Sequence, residues 1–461
     1  MTEEAATVNA PVSAVERLHL ELPELDWITD PNRIERLSQD FSWFSPVLKR
    51  RLEGKVADTV VRPRTEDEIR RLVAACARLK VPVTIRGSGT GNYGQTTPLA
   101  GGVVLDMTGY NAMLWVRPGV ARAQAGIRLA EIEKATRPGG QELRCLPSTY
   151  RSATLGGLFG GGFGGVGSIN HGPLGAPGNV IGLKAMTIEP EPQVVELRGA
   201  KALRMHHLWG TNGLVLELEI ALAPAQPWLE TLVTFAGFDA ALAFADALAR
   251  APGLAKREVA FFASPVPDHL TQLAEYLPHG CHAVLSLVAE AGEEAMNELV
   301  AAHGGTVTYR RTAEEVARSN RTLMEYTWNH TTLHALRVDK GLTYLQTSFT
   351  PGEHVRQITE LAKRYEGEVL MHAEFLRTMD GLLTCSALQL VRFSSEERLA
   401  QIIREHRDYG VRINNPHTFI VEDGKAGGDL PEEVVALKRR FDPLALLNPG
   451  KLRHWPARSA P

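Results

Sequence analysis

Apolar and polar positions alternate most clearly between residues 60 and 86, where they predict a strand–helix–strand unit. Val60 and Val61 form the first strand, and a capping-box pattern follows, with Thr65 and Glu68 three positions apart. Apolar residues then recur at helical spacing over residues 69–79, and residues 81–85 return as a strand. Further strands are predicted at 103–107, 113–116 and 120–125, with a helix at 128–135.

The pattern between residues 228 and 423 indicates an internal duplication. A strand–helix–strand–strand–helix–strand order is predicted first, over residues 231–235, 238–250, 257–262, 282–289, 293–303 and 306–310. A long helix is predicted at 313–338. A similar order then restarts over 342–349, 353–365, 369–377, 383–392, 395–409 and 417–422. This order favours an α+β fold in which two ferredoxin-like halves join into one large antiparallel sheet covered by helices.

A glycine-rich loop follows the strand at 81–85 and reads Arg86-Gly-Ser-Gly-Thr-Gly-Asn-Tyr-Gly94. Glycine lacks a Cβ, so successive amide N–H groups can converge on a phosphate. The spacing of Gly89, Gly91 and Gly94 matches the dinucleotide fingerprint, which requires a helix to open at that point. Pro98, Gly101 and Gly102 interrupt the segment instead, and the next strand begins at residue 103. The loop is therefore predicted to bind a pyrophosphate, but not in a Rossmann fold, which argues against a nicotinamide dehydrogenase.

A second glycine-dense segment covers residues 153–167. Its glycines disfavour both an ordinary helix and an ordinary strand. A flexible linker is the plain alternative, but the segment also carries Leu155, Leu158, Phe159 and Phe163, which a solvated linker avoids. A backbone packed flat against a large planar ligand explains the pattern better.

Composition limits the classes of protein that remain. A chain of 461 residues suggests two or three domains, and a net charge of -3 gives no reason to expect a nucleic acid partner. The four cysteines are far apart in the sequence, which is typical of buried thiols in a reducing compartment. They lack the paired spacing of a zinc or iron–sulfur site. No signal peptide and no apolar run of membrane-spanning length is found, so a cytoplasmic location without a membrane segment is expected.

Five segments, in order, resemble the vanillyl-alcohol oxidase superfamily, whose members carry an FAD domain of the p-cresol methylhydroxylase type. They are the loop from Arg86 to Gly91, Thr154-Leu-Gly-Gly157, His171-Gly172 with Asn179-Val-Ile-Gly182, Trp209-Gly-Thr-Asn-Gly-Leu-Val-Leu-Glu217, and Asp442-Pro443 with Asn448-Pro-Gly-Lys451. The last resembles the C-terminal signature of the glycolate oxidase and D-lactate dehydrogenase branch.

The resemblance implies one FAD between two α+β subdomains, with its flavin ring facing a cap domain. It divides the chain into an N-terminal arm (1–54), an FAD-binding domain (55–227), a substrate or cap domain (228–423) and a returning C-terminal segment (424–461). The implied cofactor-binding residues are Arg86, Gly87, Ser88, Gly89, Thr90, Gly91, Asn92, Ser148, Thr154, Gly156, Gly157, Gly161, His171, Val180, Val215, Asn448 and Lys451.

One departure from the family pattern concerns how FAD is held. Many members attach FAD covalently through a histidine at the position matched by Thr90, and threonine cannot form that bond. Members with a second covalent link use a cysteine ahead of the second glycine segment, but Cys145 lies several residues too early and is interpreted as a buried thiol. Non-covalent FAD is therefore predicted.

The candidate catalytic groups fall into three clusters. Oxidation by a flavin needs a base for the hydroxyl or amine proton, and an acidic substrate also needs a cation. Residues at helical spacing share a face, and residues two apart on a strand share a side. The candidates are Tyr326, His330, His334 and Arg337 on the predicted long helix, His372 and Glu374 on one strand, and His417 at the head of the last strand, with Arg377 a further candidate for substrate charge.

A second departure concerns metal binding. The hydroxy-acid branch has a two-histidine motif near His372 and a glutamate–histidine pair near His417, which together bind a divalent metal. Here no second histidine follows His372, and no glutamate precedes His417 in Asn414-Asn-Pro-His417. No metal is therefore assigned.

Three functions compete on this basis. The favoured one is an FAD-dependent oxidoreductase that oxidises a small alcohol or hydroxy acid by hydride transfer, with oxygen or an unidentified electron acceptor reoxidising the flavin. The alternatives are a nicotinamide dehydrogenase, disfavoured by the missing helix, and an electron-relay flavoprotein subunit that serves a separate partner protein. The sequence leaves homodimer formation open.

Overall fold

The computed structural model describes residues 12–162, 164–425 and 428–455. The part of the chain before residue 227 contains eight α-helices and ten strands among its described residues. In chain order they are α1 (Ala14–Glu21), β1 (Trp27–Ile28), α2 (Pro31–Leu37), α3 (Pro46–Arg51), β2 (Thr59–Val61), α4 (Glu66–Leu79), β3 (Val83–Arg86), β4 (Val103–Asp106), β5 (Met113–Arg117), β6 (Val120–Gln124), α5 (Leu129–Thr136), β7 (Gln141–Leu143), α6 (Leu155–Gly161), α7 (Ser168–His171), β8 (Val180–Met186), β9 (Val194–Arg198), α8 (Ala200–Leu203) and β10 (Leu214–Pro224).

The predicted strand–helix–strand unit forms the first of two sheets in this N-terminal part. Strands β2, β4 and β3 are parallel, and β1 adds an antiparallel edge. Helix α4 begins where the Thr65 hydroxyl accepts a hydrogen bond from the Glu68 amide (3.2 Å), and it buries Ile69, Leu72 and Val73 against the sheet. The unit carries the first glycine loop to the C-terminal end of β3.

The second sheet is antiparallel and has the order β5-β6-β10-β8-β9, with β7 paired to β10. Strand β10 is the longest strand of this part and pairs on both sides, with β6 and β8. The two sheets thus make two α+β subdomains, as the fold class predicted.

The rest of the chain is built around one large sheet. Its elements are β11 (Trp228–Phe235), α9 (Phe238–Arg250), β12 (Lys256–Phe262), β13 (His282–Ala289), α10 (Glu293–Ala302), β14 (Thr306–Arg311), α11 (Ala313–Ser319), α12 (Asn329–Val338), β15 (Leu342–Tyr344), β16 (Gln346–Ser348), α13 (His354–Arg364), β17 (Val369–Leu370), β18 (His372–Arg377), β19 (Leu383–Ala387), β20 (Leu390–Arg392), α14 (Glu396–Asp408), β21 (Arg412–Asn414), α15 (Val421–Gly424) and α16 (Glu432–Phe441).

The strand order of the large sheet confirms the predicted duplication. The eight strands run β14-β11-β13-β12-β18-β19-β16-β21. Each half therefore has the ferredoxin-like order, and the two halves meet through the antiparallel pair β12–β18. Helices α9, α13 and α14 cover one face through an apolar layer that includes Phe244, Ile358 and Ile402.

Two predicted elements of the large-sheet part are wrong, and the strands predicted at 342–349, 369–377 and 383–392 are each divided into two shorter strands. The single helix over 313–338 is two helices, α11 and α12, separated by Asn320 (φ 52°) and Trp328 (φ 51°), because both residues have left-handed backbone angles that a helix cannot continue through. The strand over 417–422 is also absent: β21 ends at Asn414, His417 lies in the following turn, and α15 begins at Val421.

Among the described residues, no helix combines the length and the apolar character that crossing a lipid bilayer requires.

Candidate functional site

The first glycine loop is supported from below by Arg86. The Arg86 guanidinium is buried and donates to the Gln39 carbonyl (2.6 Å) and the Thr96 hydroxyl (3.0 Å). A Cβ on Gly89, whose φ is 67°, would lie 2.0 Å from that guanidinium. The side chain of Arg86 therefore holds the loop in shape, and the main chain of the loop is left to face the ligand.

The loop backbone presents a row of hydrogen-bond donors without protein acceptors. Within the described part of the chain, the backbone N–H groups of residues 88–92 donate to no protein group. The side-chain nitrogen of Asn92 is also buried without an acceptor. Buried backbone donors are almost always satisfied, and successive amides in a turn are suited to an anion.

The second glycine segment lies directly against the first. Thr154 is the N-cap of α6, and its hydroxyl accepts from the Gly157 amide (3.1 Å). A Cβ on Gly87 would lie 2.2 Å from that hydroxyl, and one on Gly156 would lie 2.8 Å from Cβ of Ala125. A Cβ on Gly160 or Gly161 would meet no atom that close, so the surface that the segment presents at these two residues is flat.

The C-terminal signature holds these loops from behind. Asn448 donates through its side-chain amide to the carbonyls of Gln95 and Trp209 (2.8 Å each), and the fully buried Lys451 amine donates to the Gly94 carbonyl (2.5 Å). Burial lowers the pKa of Lys451 to about 7. Both residues therefore contact the glycine loop rather than the space in front of it.

Together these elements line a cavity that is open on one side, between the two glycine segments and β10, with about 860 Å³ of space including its open mouth. Ten of the residues predicted to bind the cofactor line it: Gly87, Ser88, Gly89, Thr90, Gly91, Thr154, Gly156, Gly157, Gly161 and Val215. The sequence argument missed Gln95, Met107, Ala125, Met205 and Trp209, which also line it. The unpaired amides and the flat glycine wall fit a pyrophosphate joined to planar rings.

The remaining predicted cofactor residues lie outside this lining. Arg86, Asn92, Asn448 and Lys451 support the first loop, whereas Ser148 is buried in the turn ahead of the second segment. His171 ends α7, where burial lowers its pKa to about 4, and Val180 is buried at the start of β8.

On the large sheet, the structure brings His372 and Glu374 into contact. Nε2 of His372 lies 2.7 Å from Oε1 of Glu374 and 3.4 Å from the Thr331 hydroxyl of α12. Both side chains are fully buried. Burial lowers the pKa of His372 to about 3 and raises that of Glu374 to about 7. The imidazole is therefore uncharged at neutral pH.

The other predicted catalytic residues are placed differently. The ring of His334 stacks on Tyr326 (4.7 Å between centroids), and burial lowers the pKa of the neighbouring His330 to about 4. Arg337 is exposed in the last turn of α12. His417 is occupied at both nitrogens, by the Ser45 hydroxyl (2.8 Å) and the Tyr344 carbonyl (2.9 Å).

The residues that the structure describes also offer no metal site in place of the family's histidine and glutamate motif, which the sequence lacks. Within them, no three His, Cys, Asp or Glu side chains are arranged to hold a metal ion.

The cavity and the duplicated sheet define a two-part flavoprotein fold, and comparisons with known proteins agree with it. A model of the FAD binding domain matches residues 57–197. Glycolate oxidase subunit GlcD of Bacillus subtilis is 26% identical over 86% of this chain and 88% of its own length. GlcD of Escherichia coli K12 is 30% identical over 41% of this chain and 40% of its own length. An alkyldihydroxyacetonephosphate synthase structure superposes over 94% of this chain and 85% of its own, with a TM-score of 0.66 at 15% identity.

These matches support the predicted resemblance to the vanillyl-alcohol oxidase superfamily of FAD-linked oxidases, near the glycolate oxidase branch. The chain is an FAD-dependent oxidoreductase, and the predictions of fold class and FAD are confirmed. The site residues stay predictions.

Proposed function

We propose that this protein oxidises a small alcohol or hydroxy acid by hydride transfer to FAD held without a covalent bond in the 860 Å³ cavity. The observation that carries the proposal is the row of unpaired amide N–H groups over residues 88–92, opposite a flat glycine wall. When bound, FAD would supply the two-electron acceptor that the side chains lack.

The loop amides would hold the pyrophosphate, and the Thr154–Gly157 turn and Gly161 would line the flavin. Val215, on the closing strand β10, would contact the adenine end. Thr90 lines the cavity where covalent members carry a histidine, and its hydroxyl offers no ring nitrogen for a bond to the flavin. Residues 55–227 would thus form the FAD-binding domain. The segment after residue 424 would return to it through Asn448 and Lys451.

Residues 228–423 would form the substrate domain, and His372 with Glu374 would take the substrate proton. His372 is uncharged, and its contact with Glu374 through Nε2 fixes the orientation of the imidazole ring. His417 would instead join the N-terminal arm to the large sheet, since Ser45 and Tyr344 occupy both of its nitrogens.

The flavin is tested first. The purified protein should be yellow, and acid precipitation should release all of the flavin into the supernatant. Flavin retained in the pellet would refute the Thr90 argument. A colourless protein that cannot be reconstituted with FAD would refute the proposed function.

Substrate oxidation is tested by adding a panel of small alcohols and 2-hydroxy acids anaerobically and following the loss of flavin absorbance. Exchange of His372 for Asn should slow the loss by roughly 10²–10⁴-fold, the usual contribution of a general base. Exchange of His406 for Asn is the matched control and should leave the rate within a few-fold (about 1 kcal/mol), because His406 is a buried histidine of α14 whose Nδ1 lies 2.8 Å from the Ile402 carbonyl. Admission of air then separates oxygen from other electron acceptors. If no compound reduces the flavin but a protein partner does, the relay function replaces this one.

A further inference from the structure

A second glutamate lies beside Glu374 on the large sheet. In the antiparallel pair β12–β18, Ala260 is opposite Glu374, so Glu258 and Glu374 lie diagonally on one face. A β-bulge precedes Glu258, because the register with β13 shifts between Lys256 and Glu258. This end of β12 meets the second glycine segment, where the Gly167 amide donates to the Arg257 carbonyl (2.7 Å).

The two carboxyl groups lack one hydrogen-bond donor between them. Glu258 accepts from the Val259 amide (3.1 Å) and the Trp328 indole (3.0 Å). Oε1 of Glu374 accepts from the Trp328 amide (2.6 Å) and contacts His372. Oε2 of Glu374 is buried and receives no donor if both glutamates are ionised. A proton between the two carboxyl groups supplies that donor.

The surrounding charges also favour a retained proton. In the parts of the chain that the structure describes, no lysine or arginine makes an ion pair with either glutamate. Burial raises the pKa of Glu374, and burial and the charge of Glu374 raise the pKa of Glu258. The titratable groups near the pair on its face of the sheet are His372, which is uncharged, and the buried thiol of Cys145. Cys385 is opposite Phe375 and lies on the other face. Two buried negative charges would therefore have no compensating cation.

Both carboxyl groups hold the same tryptophan. Trp328 has a strained φ of 51°, and its backbone and indole N–H groups each donate to one glutamate. Its ring lies on the second glycine segment, since a Cβ on Gly164 would be 3.1 Å from Cη2 of Trp328. The pair thus fixes the indole at the boundary between the large sheet and the proposed flavin side.

We propose that Glu258 and Glu374 share a proton and form a positioning pair that holds the Trp328 indole against Gly164, next to the bound flavin. The shared proton rests on the buried Oε2 of Glu374, which lacks a donor, and on the placement of both carboxyl groups around Trp328. The effect on the flavin rests on the proposed function.

Infrared spectroscopy of the full chain at pH 8 tests the shared proton. The Glu258→Gln/Glu374→Gln variant should lose the carbonyl stretch of at least one protonated carboxylic acid, and Glu258→Gln should lose it too, because its amide can donate to Glu374. Glu217→Gln is the control, since Glu217 pairs with two cations, Arg122 (2.7 Å) and Lys184 (3.3 Å), and should leave that band unchanged. An identical spectrum for the parent and the double variant overturns the proposal.

Visible circular dichroism of bound FAD tests the positioning role. Trp328→Phe should shift the flavin signal, as should Glu258→Leu, whereas Glu258→Gln keeps an acceptor for the indole and should resemble the parent. Trp228→Phe is the matched control, because Trp228 also donates to a buried glutamate, Glu142 (3.1 Å), at a different place in the sheet. A Trp328→Phe signal equal to that of Trp228→Phe overturns the positioning role. Failure of every variant and the parent to bind FAD refutes the proposed function instead, and the infrared result still decides the shared proton.

Discussion

Gly87 lies where the two glycine segments touch, and this contact leaves no room for a Cβ at position 87. Its missing Cβ would be 2.2 Å from the Thr154 hydroxyl, which itself caps α6. The exchange Gly87→Ala should therefore push the loop away from α6 and weaken FAD retention. Overpacking of this kind costs about 1–3 kcal/mol. The ratio of flavin to protein after gel filtration measures the loss.

Gly139→Ala is the matched control for this exchange. A Cβ at Gly139 would meet no atom closer than 3.8 Å, and the residue lies outside the cavity lining. Equal flavin ratios for the two variants would show that the contact between the segments is not needed for binding.

Helix α6 is unusual as an element, because four of its seven residues are glycine. Its start depends on the Thr154 cap, and loss of such a cap costs about 1 kcal/mol. Thr154→Ala should therefore lower both the melting temperature and the flavin content. Thr65→Ala removes the equivalent cap of α4, far from the cavity lining, and should lower the melting temperature alone. A normal flavin content in Thr154→Ala would contradict the role of α6 in the cavity.

Local patterns predicted most elements of the fold, and the errors occur where distant residues determine the backbone. Apolar spacing gave α4, α9 and β13 nearly as they stand. The local pattern predicts one helix over 313–338, but the helix breaks at Trp328. The Trp328 amide donates to Glu374, 46 positions later, and no local pattern contains that contact. A signal for Glu258 did exist, as a charged residue inside the apolar strand β12, but its partners lie on β18 and before α12.

The candidate site shows the same limit. Glycine spacing predicted the loop that lines the cavity, whereas residue type alone could not separate lining residues from supporting ones. Arg86, Asn448 and Lys451 were predicted as cofactor ligands, and they hold the loop from behind through hydrogen bonds to its own backbone and neighbours.

At the scale of the whole molecule, a buried charge cluster joins the large sheet to the N-terminal part. Arg257 of β12 donates to the Leu143 carbonyl (3.1 Å) and lies 3.5 Å from Glu142, which also accepts from the Trp228 indole. Arg257→Met would leave Glu142 with Arg137 (2.7 Å) as its remaining cation, so the loss of stability should be smaller than about 3–5 kcal/mol, the cost of a buried charge left without any partner. Urea denaturation should show the loss, and the Arg257→Met/Glu142→Gln variant should recover part of it. No recovery in the double variant would mean that Arg257 stabilises the fold through packing.

Acid should destabilise the molecule through its buried histidines. Burial lowers the pKa to about 4 for His171, His206, His330 and His417 and to about 3 for His372, from an ordinary value of 6.5. Below pH 6.5 the unfolded chain binds more protons than the folded chain at these five positions, so the free energy of unfolding falls as the pH decreases towards 4. The raised pKa values of five buried carboxyl groups act in the opposite direction, because the folded chain keeps those protons; the groups are Asp40, Glu142, Glu230, Glu258 and Glu374. The lowered pKa values of hydrogen-bonded carboxylates such as Glu219, Asp246 and Glu405 act in the same direction as the histidines.

The urea midpoint, measured with excess FAD, should therefore be lower at pH 5 than at pH 7. His417→Gln tests the assignment to a single residue, because its amide can still donate to the Tyr344 carbonyl but cannot be protonated in the unfolded chain. The difference between the two midpoints should be smaller in this variant than in the parent. Equal midpoints in the parent at both pH values would show that the buried histidines do not govern its acid stability, and an unchanged difference in His417→Gln would remove His417 from the group.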